Sequence, residues 1–340
     1  MKDSPIHQPL VSVVVTSFNV ADYLGECIRS IQAQTYSNLE IVVVDDCSTD
    51  ESAAVIQSFA EKDSRIRLIR KARNEGALYA KLDGIRNTSG GFFFLCDGDD
   101  WISSELVSTC LHHAQTSDCV VFGIDFVDHA TRTAAPNVYP VEIGEKIAGG
   151  IQLTNFEWGS INHMMQLYFY NSDIKSKYLE AYTNYPPLPY YEEIPGYALT
   201  MSLENRKVIP DVLYHYRLNR PGQSTANWWH ANRSLKYLSL DTAISATIRS
   251  RFGNTSNVHE TVFFKLLKIA FAEYRSILLN NPDEYPRLRR AMLNMLGRIE
   301  TPERLYSISV KAALFYVALR GIPSKLTQVV VPTLLGVIRI

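Results

Sequence analysis

Four strand-length apolar runs, each separated from the next by a segment of helical periodicity, constrain the fold of this chain more than any other feature. The runs are VSVVVTSF at 11–18, LEIVVVDD at 39–46, IRLIRK at 66–71 and FFFLC at 92–96. ADYLGECIRSIQAQ follows the first run with apolar residues at helical spacing, a segment opened by Ser48 or Asp50 follows the second, and ALYAKLDGIRNT follows the third. Near-continuous apolar strands are typical of parallel sheets that helices cover on both faces. We therefore predict an α/β fold with a doubly wound, mostly parallel sheet.

The pattern changes after the fourth run. Residues 120–126 are predicted to form a fifth strand, whereas residues 130–160 show no regular periodicity. After roughly Trp228 the spacing of apolar residues is helical to the end, most clearly in HETVFFKLLKIAFAEYRSILL. We predict a sheet domain over residues 1–228 and a helical C-terminal region over residues 229–340.

Length, charge and cysteine usage exclude several classes of protein. The 340 residues suffice for one large α/β domain and a smaller companion. A net charge of −1 argues against a nucleic-acid-binding protein, which normally carries a basic surface. The five cysteines lack CxxC spacing, and three lie in or beside apolar runs, so we expect buried, reduced thiols and a cytoplasmic location. The polar start MKDSPIHQPL predicts no signal peptide, and no apolar stretch reaches membrane-spanning length.

The C-terminal tail, residues 307–340, is apolar with scattered Lys and Arg and few acidic residues. The stretches between its charges are too short to cross a bilayer. One interpretation is a segment that lies on an anionic membrane surface, which would make the protein peripheral at the inner face of the cell membrane. The alternative is a C-terminal helix packed on the domain.

Polar clusters follow three of the apolar runs, at residues 16–19, 45–46 and 97–100. Because the carboxyl ends of parallel strands meet at one edge of a sheet, where α/β proteins bind their ligands, we expect the clusters to converge. The carboxylates in the third cluster repel one another, and their spacing suits a divalent cation, which prefers hard oxygen ligands. Taken singly, each cluster is also what a solvated turn contains.

The motifs TSFN, QTYSNLEIVVVDDCSTD, NEG and FFFLCDGDDW, in this order and spacing, resemble the family-2 glycosyltransferases, the inverting enzymes of the GT-A fold. Downstream, LPYYEEIPGYALTMSLENRKVIPDVLYHYRLNRPGQST is similar to the family's acidic pair and its Tyr-x-Tyr-Arg segment. The likeness runs from about Leu10 to about Thr225. It implies a GT-A domain with the donor site in residues 10–126 and the acceptor and base region in residues 150–225.

The resemblance implies a nucleotide-sugar site at the strand ends. The positions that match its donor contacts are Thr16, Asn19, Asp46, Asn74, Lys81 and Asp97. Asp46 falls where the family holds the uracil ring, and a carboxylate can accept the imide N–H. The family's usual Arg-Asn pair reads Lys81-Leu82, so the cation is kept and the asparagine is lost. Asp97 and Asp99 match the D-x-D element, one facing the ribose and one binding Mn²⁺ or Mg²⁺.

The resemblance places the catalytic base in the pair Glu192-Glu193. An acceptor hydroxyl must lose its proton as it attacks, and a carboxylate within hydrogen-bond reach can accept it. The family usually has Glu-Asp here with the second residue as base, so Glu193 is the candidate and its extra methylene is a departure. The alternative is a pair of exposed acids in the first turn of the following helix.

Basic groups on YHYRLNRPGQST are the remaining candidates. Arg217 and Arg220 are expected to clamp the diphosphate, and His215 to complete the metal shell. A packed structural histidine is the alternative for His215, and a solvated surface charge is the alternative for Lys81. Where the family commonly has a tryptophan and a basic residue in its acceptor segment, this chain has HMMQLYFYNSDI, so the resemblance does not identify the acceptor. Aromatic residues near Trp158 and in residues 182–191 would stack on sugar rings or belong to the core.

The resemblance implies a hexosyl- or N-acetylhexosaminyl-transferase that uses a UDP-sugar and a divalent metal to extend a saccharide or lipid-linked glycan in cell-surface polysaccharide synthesis. One alternative is a catalytically degenerate module that only binds nucleotide sugars, against which the retained Asp97, Asp99 and Glu193 argue. Another is a phosphatase of the haloacid-dehalogenase type. Such enzymes carry Asp-x-Asp on their first strand, whereas here the acids end the fourth strand and Trp101 follows them.

Overall fold

The structure is a computed structural model that describes residues 8–136, 166, 168–183 and 194–221. The chain divides into two compact units, Met1–Pro221 and Gly222–Ile340, and every described residue belongs to the first. The predicted boundary at residue 228, the helical C-terminal region and the surface-lying tail are therefore outside the described residues and stay predictions.

The described residues form one mixed sheet of nine strands. In chain order the strands are β1 (Val11–Ser17), β2 (Leu39–Asp45), β3 (Ile66–Arg70), β4 (Phe92–Asp97), β5 (Trp101–Ile102), β6 (Cys119–Asp128), β7 (Ala134–Pro136), β8 (Tyr168–Asn171) and β9 (Arg206–Leu218). Their order across the sheet is β3-β2-β1-β4-β8-β6-β9-β5, with β7 paired to β6. Strands β1 to β4 are parallel, β8 is antiparallel to β4 and β6, and β9 runs parallel to β6. The predicted α/β fold is confirmed.

Helices connect the parallel strands as the periodicity predicts. The described helices are α1 (Ala21–Gln32), α2 (Ser52–Ala60), α3 (Ala77–Arg86), α4 (Leu106–His113), α5 (Lys175–Ala181) and α6 (Ile194–Ser202). Among these residues no helix is long and apolar enough to span a bilayer. The Asp50 carboxylate accepts the backbone N–H of Ser52 at 2.9 Å and that of Ala21 at 3.0 Å. Asp50 therefore caps the starts of α2 and α1 together, and α2 begins at Ser52 rather than at the predicted Ser48 or Asp50.

The core lies against both faces of the parallel strands. On one face, alternate residues of β1 and β2 pack with α1, which buries the apolar stripe predicted for it. On the other face, Val42 and Val44 pack with Ala80 of α3. A Cβ on Gly84 of α3 would lie 2.2 Å from Val14 Cγ1, so a side chain at this position would require Val14 or the helix to shift. All five cysteines are free, and all except Cys47 are buried.

Two features of the sheet differ from the sequence analysis. Residues 134–136 lie within the segment predicted to be irregular, yet they pair with β6 as strand β7. Strand β9 was not predicted at all, although it pairs with β6 over most of its length. The register of this pairing shifts around Gly123 of β6. A Cβ on Gly123 would lie 2.9 Å from the carbonyl oxygen of Asp211 in β9, so the two backbones are very close there. Strand β9 matters for function because it reaches the acidic turn.

Candidate functional site

The carboxyl ends of β2, β1 and β4 lie side by side, as the sequence predicts. The strand register pairs Thr16 with Asp97 and Ser17 with Asp45. Thr16 Oγ1 donates a hydrogen bond to Asp97 Oδ1 at 2.8 Å, which joins two of the predicted donor-site residues directly. The three polar clusters therefore form one edge, and this edge is the candidate active site.

The acidic turn, residues 97–100, is held against β1 by its glycine. The N–H of Gly98 donates to the carbonyl of Thr16 at 2.8 Å, and a Cβ on Gly98 would lie 2.7 Å from the same oxygen. The N–H of Asp100 donates to the Asp97 carbonyl at 3.0 Å and closes the turn. Only glycine allows the turn to pack this closely on the neighbouring strand.

Asp97 lies between two buried polar side chains. Lys81 Nζ is 3.4 Å from Asp97 Oδ1, and the Lys81 side chain is 4% exposed, so the alternative of a solvated surface lysine is excluded. Gln166 Nε2 donates to the other carboxylate oxygen. No motif in the sequence indicates this role for Gln166, which lies in the HMMQ segment where the chain departs from the family. Both contacts place positive or donor groups on a carboxylate that is 23% exposed.

Asp99 forms an ion pair with one of the predicted diphosphate-binding arginines. Arg220 Nε donates to Asp99 Oδ2 at 2.5 Å, and the two side chains are 11% and 14% exposed. Burial raises the pKa of Asp99, the charge of Asp97 raises it further, and Arg220 opposes both effects. A cation bound beside Asp99 would favour its ionised form, as Arg220 does.

Asp100 is fully buried and faces away from solvent. Its Oδ2 accepts the hydroxyl of Tyr214 at 2.6 Å, and its Oδ1 accepts the backbone N–H of Arg217 at 2.8 Å. Burial and the charges of Asp99 and Asp97 raise its pKa well above the ordinary value. Asp100 is therefore hydrogen bonded to β9 and, unlike Asp97 and Asp99, has no exposed surface.

The guanidinium of Arg217 lies inside the protein, with 1% of the side chain exposed. It stacks between the rings of Tyr23 and Trp101, at 5.1 and 4.6 Å from their centroids. Its Nε donates to the carbonyl of Asp99 at 2.7 Å and its Nη2 to Glu26 at 2.7 Å. Arg217 is expected at the diphosphate, but its Nε and Nη2 donate to the acidic turn and to α1.

His215, predicted to complete a metal shell, hydrogen bonds through Nδ1 to Asp125 on β6 at 2.6 Å. Its ring stacks on Trp101 with centroids 5.4 Å apart. In the parts of the chain that the structure describes, no three His, Cys, Asp or Glu side chains are arranged to hold a metal ion. The structure brings Asp97 and Asp99 together in the acidic turn and ties His215 to a different carboxylate.

The predicted base-binding residues lie at the end of β2 and in the loops beside it. The Asp46 carboxylate is buried, accepts the backbone N–H of Gly76 at 2.7 Å and that of Glu75 at 3.0 Å, and lies 3.7 Å from Lys71 Nζ. Asp46 therefore fixes the loop between β3 and α3, which carries the exposed Asn74.

Asn19 follows β1 and has a φ of 52°, a left-handed conformation that asparagine tolerates better than most residues. Its Oδ1 accepts the N–H of Thr49 at 2.8 Å, which joins the β1 and β2 loops. Glu192, Glu193 and Trp158 are outside the described residues, as is most of the acceptor region. Helix α6 begins at Ile194, directly after the acidic pair.

Asp97 and Asp99 fit a divalent cation that is shared with a nucleotide. Mg²⁺ and Mn²⁺ sites on nucleotides commonly use one or two protein carboxylates and take further oxygens from phosphate and water. Both carboxylates are partly exposed, and the two belong to one turn, so a single cation at the sheet edge can reach them. Asp100, which has no exposed surface, does not fit the role of a ligand.

Most of the described residues match a known protein family. Residues 12–168 match the family model described as glycosyl transferase family 2. The chain is 38% identical over 115 residues to the glycosyltransferase GlyG of Streptococcus pneumoniae, which is 34% of this chain and 38% of that protein. It is 27% identical over 317 residues to the glycosyltransferase GlyA of the same organism, 86% of this chain and 42% of that protein. The chain thus spans about two fifths of the length of these curated relatives.

Solved structures support the fold. The S. aureus TarS 1-349 structure in complex with UDP-GlcNAc superposes with a TM-score of 0.70 at 16% identity, covering 97% of this chain and 91% of that chain. The mannosyltransferase PcManGT of Pyrobaculum calidifontis, in complex with GDP-Man and Mn²⁺, superposes with a TM-score of 0.53 at 17% identity, covering 98% and 88%. At these identities the likeness concerns the fold alone, which is the GT-A fold.

Proposed function

We propose that this chain, a family-2 glycosyltransferase of the GT-A fold, moves a hexosyl or N-acetylhexosaminyl group from a UDP-sugar to a hydroxyl of a saccharide or lipid-linked glycan, with inversion at the anomeric carbon. The activity would serve the synthesis of a surface polysaccharide. The observation that carries the proposal is the convergence of Asp46, Lys81, Asp97 and Asp99 on the carboxyl edge of β1, β2 and β4.

We assign the base and the diphosphate of the donor to different described residues. We assign Asp46, which is held by two backbone N–H groups, to the imide N–H of uracil, which a carboxylate lone pair can accept. Lys81 and Arg220 are the cations beside the acidic turn, and we assign them to the diphosphate. A uridine donor is supported by the TarS structures with UDP-GlcNAc and with UDP. The GDP-Man complex of the mannosyltransferase shows that another member of this fold takes a different base.

Asp97 and Asp99 would hold the divalent metal. When bound, the metal supplies a positive charge that neutralises the leaving diphosphate. The remaining work belongs to the chain's own groups. Lys81 keeps positive charge beside Asp97 in a buried setting, where electrostatic interactions are stronger than in water. Glu193 is assigned as the base that accepts the acceptor's proton on the opposite face of the sugar, with Glu192 beside it.

Donor and chemistry are tested together with a panel of nucleotide sugars. Melting temperatures of the wild-type protein and of Glu193→Gln are measured with UDP-GlcNAc, UDP-glucose and GDP-mannose, with and without Mn²⁺. Nucleotide release is then followed in the same mixtures after a range of saccharide acceptors has been added. We expect a UDP-sugar with Mn²⁺ to stabilise both proteins by several degrees and only the wild type to release UDP.

Three outcomes would count against parts of this proposal. Stabilisation by GDP-mannose alone would refute the uridine assignment. Normal release by Glu193→Gln would transfer the base role to Glu192 or to another group. Binding by the wild type without release in the presence of a range of saccharide acceptors would favour the degenerate binding module.

A further inference from the structure

The third carboxylate of the acidic turn has no role in the proposed donor site. Asp100 has no exposed surface, so it cannot contact a donor, yet it stands in the middle of the charge cluster. Both of its carboxylate oxygens are instead hydrogen bonded to β9, Oδ2 to Tyr214 and Oδ1 to Arg217. This structural connection is explained if the turn that carries Asp97 and Asp99 must be held in place.

Asp100 connects the acidic turn to β9 through two hydrogen bonds. The Tyr214 hydroxyl donates to Asp100 Oδ2 at 2.6 Å and accepts the backbone N–H of Asp97 at 3.1 Å. One hydroxyl thus joins the first and last residues of the turn. Tyr214 is itself fully buried, so water does not compete for these bonds.

Arg217 holds the middle of the turn from the same strand. Its backbone N–H donates to Asp100 Oδ1 at 2.8 Å, and its Nε donates to the carbonyl of Asp99 at 2.7 Å. The guanidinium is fixed in turn by Glu26 of α1 and by the rings of Tyr23 and Trp101. The burial of Glu26 opposes its ionisation, but hydrogen bonds from Arg132 and Arg217 hold its pKa below the ordinary value. These contacts therefore fix the orientation of the Arg217 guanidinium.

We propose that Asp100, Tyr214 and Arg217 form a clasp that fixes the distance between the Asp97 and Asp99 carboxylates and so sets the affinity of the acidic turn for a divalent cation bound with nucleotide. The three are positioning residues, since none is placed to touch the donor. The inference rests on the proposed function, because it assumes that Asp97 and Asp99 are the metal ligands.

The physical reason lies in the repulsion between the two ligands. Without a metal, two neighbouring carboxylates separate unless the backbone beneath them is held, and a cation must then bring them back. Backbone bonds to Asp97 and Asp99 from one rigid strand avoid this rearrangement, and supporting shells of this kind tune metal sites in other proteins. Mg²⁺ and Mn²⁺ are sensitive to such a change because their coordination geometry is strict.

Tyr214→Phe removes the central hydroxyl and leaves the ring in place. Binding of Mn²⁺ to the full chain is measured at saturating UDP by the electron paramagnetic resonance signal of the free ion. We expect about tenfold weaker Mn²⁺ binding, the effect of losing one to two buried hydrogen bonds. In transfer assays the Mn²⁺ concentration for half-maximal rate should rise by a similar factor, while kcat at saturating Mn²⁺ stays near the wild-type value.

Tyr170→Phe is the matched control. Tyr170 is also buried, and its hydroxyl bonds to Thr200 at 2.6 Å, away from the acidic turn. We expect it to lower the melting temperature about as much as Tyr214→Phe and to leave Mn²⁺ affinity unchanged. Should Tyr214→Phe fail to fold, Asp100→Asn, which keeps the size of the side chain and loses one acceptor, takes its place.

The possible results separate the clasp from the donor assignment. Unchanged Mn²⁺ affinity in Tyr214→Phe or Asp100→Asn, with normal affinity in the wild type, overturns the clasp and leaves the proposed function standing. Equal weakening in Tyr170→Phe also overturns it, because the effect would then follow general stability. Absence of Mn²⁺ binding by the wild type with UDP overturns the metal assignment and the clasp with it.

Discussion

At the scale of single residues, the ion pair between Arg220 and Asp99 places a protein cation on a carboxylate that we assign to the metal. Arg220 and a divalent cation should therefore compete for Asp99 while the nucleotide is absent. Once a diphosphate is bound, Arg220 can contact the diphosphate instead of Asp99. The arginine and the cation then both stabilise the bound nucleotide. Arg220 is therefore expected to weaken cation binding without nucleotide and to strengthen donor binding once a diphosphate is present.

Arg220→Gln tests this reversal. Without nucleotide, we expect the variant to bind Mn²⁺ roughly tenfold more tightly than the wild type, because a charge-assisted hydrogen bond to Asp99 is lost. With the UDP-sugar, we expect a higher KM for the donor. Calorimetric titration of Mn²⁺ with and without UDP measures both effects. Arg73→Gln, which removes an 82% exposed guanidinium paired with Glu75, is the control. Weaker Mn²⁺ binding by Arg220→Gln in both states would contradict the competition.

The two carboxylates assigned to the metal could be predicted from the sequence, whereas the residues that hold the acidic turn in place could not. Asp97 and Asp99 follow a buried strand in a recognisable motif, and chain position alone places them at the sheet edge. The function of Asp100 depends on Tyr214 and Arg217, more than a hundred residues away, and no local pattern connects them. For Arg217 the sequence indicates a cation near the site but not that its donors are directed into the protein.

At the scale of elements, α3 packs on β1 at a glycine. A Cβ on Gly84 would meet Val14 Cγ1 at 2.2 Å, so Gly84→Ala must push the helix from the strand or force Val14 into another rotamer. We expect a loss of about 1–3 kcal/mol in the free energy of unfolding, the usual cost of overpacking. Because α3 carries Lys81, donor affinity should fall as well.

Gly25→Ala is the matched control on α1. There a Cβ would meet only the end of the flexible Arg29 side chain at 3.3 Å. Alanine is the better helix former by roughly 1 kcal/mol, so we expect this variant to be as stable as the wild type or more so. Denaturant titration measures both variants. A Gly84→Ala protein as stable as Gly25→Ala would show that α3 and β1 are not packed as described.

The parallel strands and their helices were predictable, and β9 was not. Strands β1, β2 and β4 are continuous apolar runs because helices cover both faces, and this pattern is read directly from the chain. Strand β9 contains Pro210 and three consecutive exposed residues, and a register shift at Gly123 accompanies its pairing with β6. Each interruption breaks the period-two alternation by which a strand is recognised.

At the scale of the whole molecule, the family model matches residues 12–168, and the likeness to TarS extends the shared fold over 97% of the chain. Two distant parts of the sheet meet at the acidic turn: the β1–β4 half supplies the carboxylates and β9 holds them. The central claim is that this turn binds a divalent cation together with the diphosphate of the donor.

Crystals of the protein soaked with UDP and Mn²⁺ test that claim most directly, through the anomalous scattering of manganese. We expect one strong anomalous peak within coordination distance of the Asp97 or Asp99 carboxylate and of a phosphate oxygen, and loss of that peak in Asp99→Asn. An anomalous peak elsewhere, with UDP bound away from the turn, would contradict it.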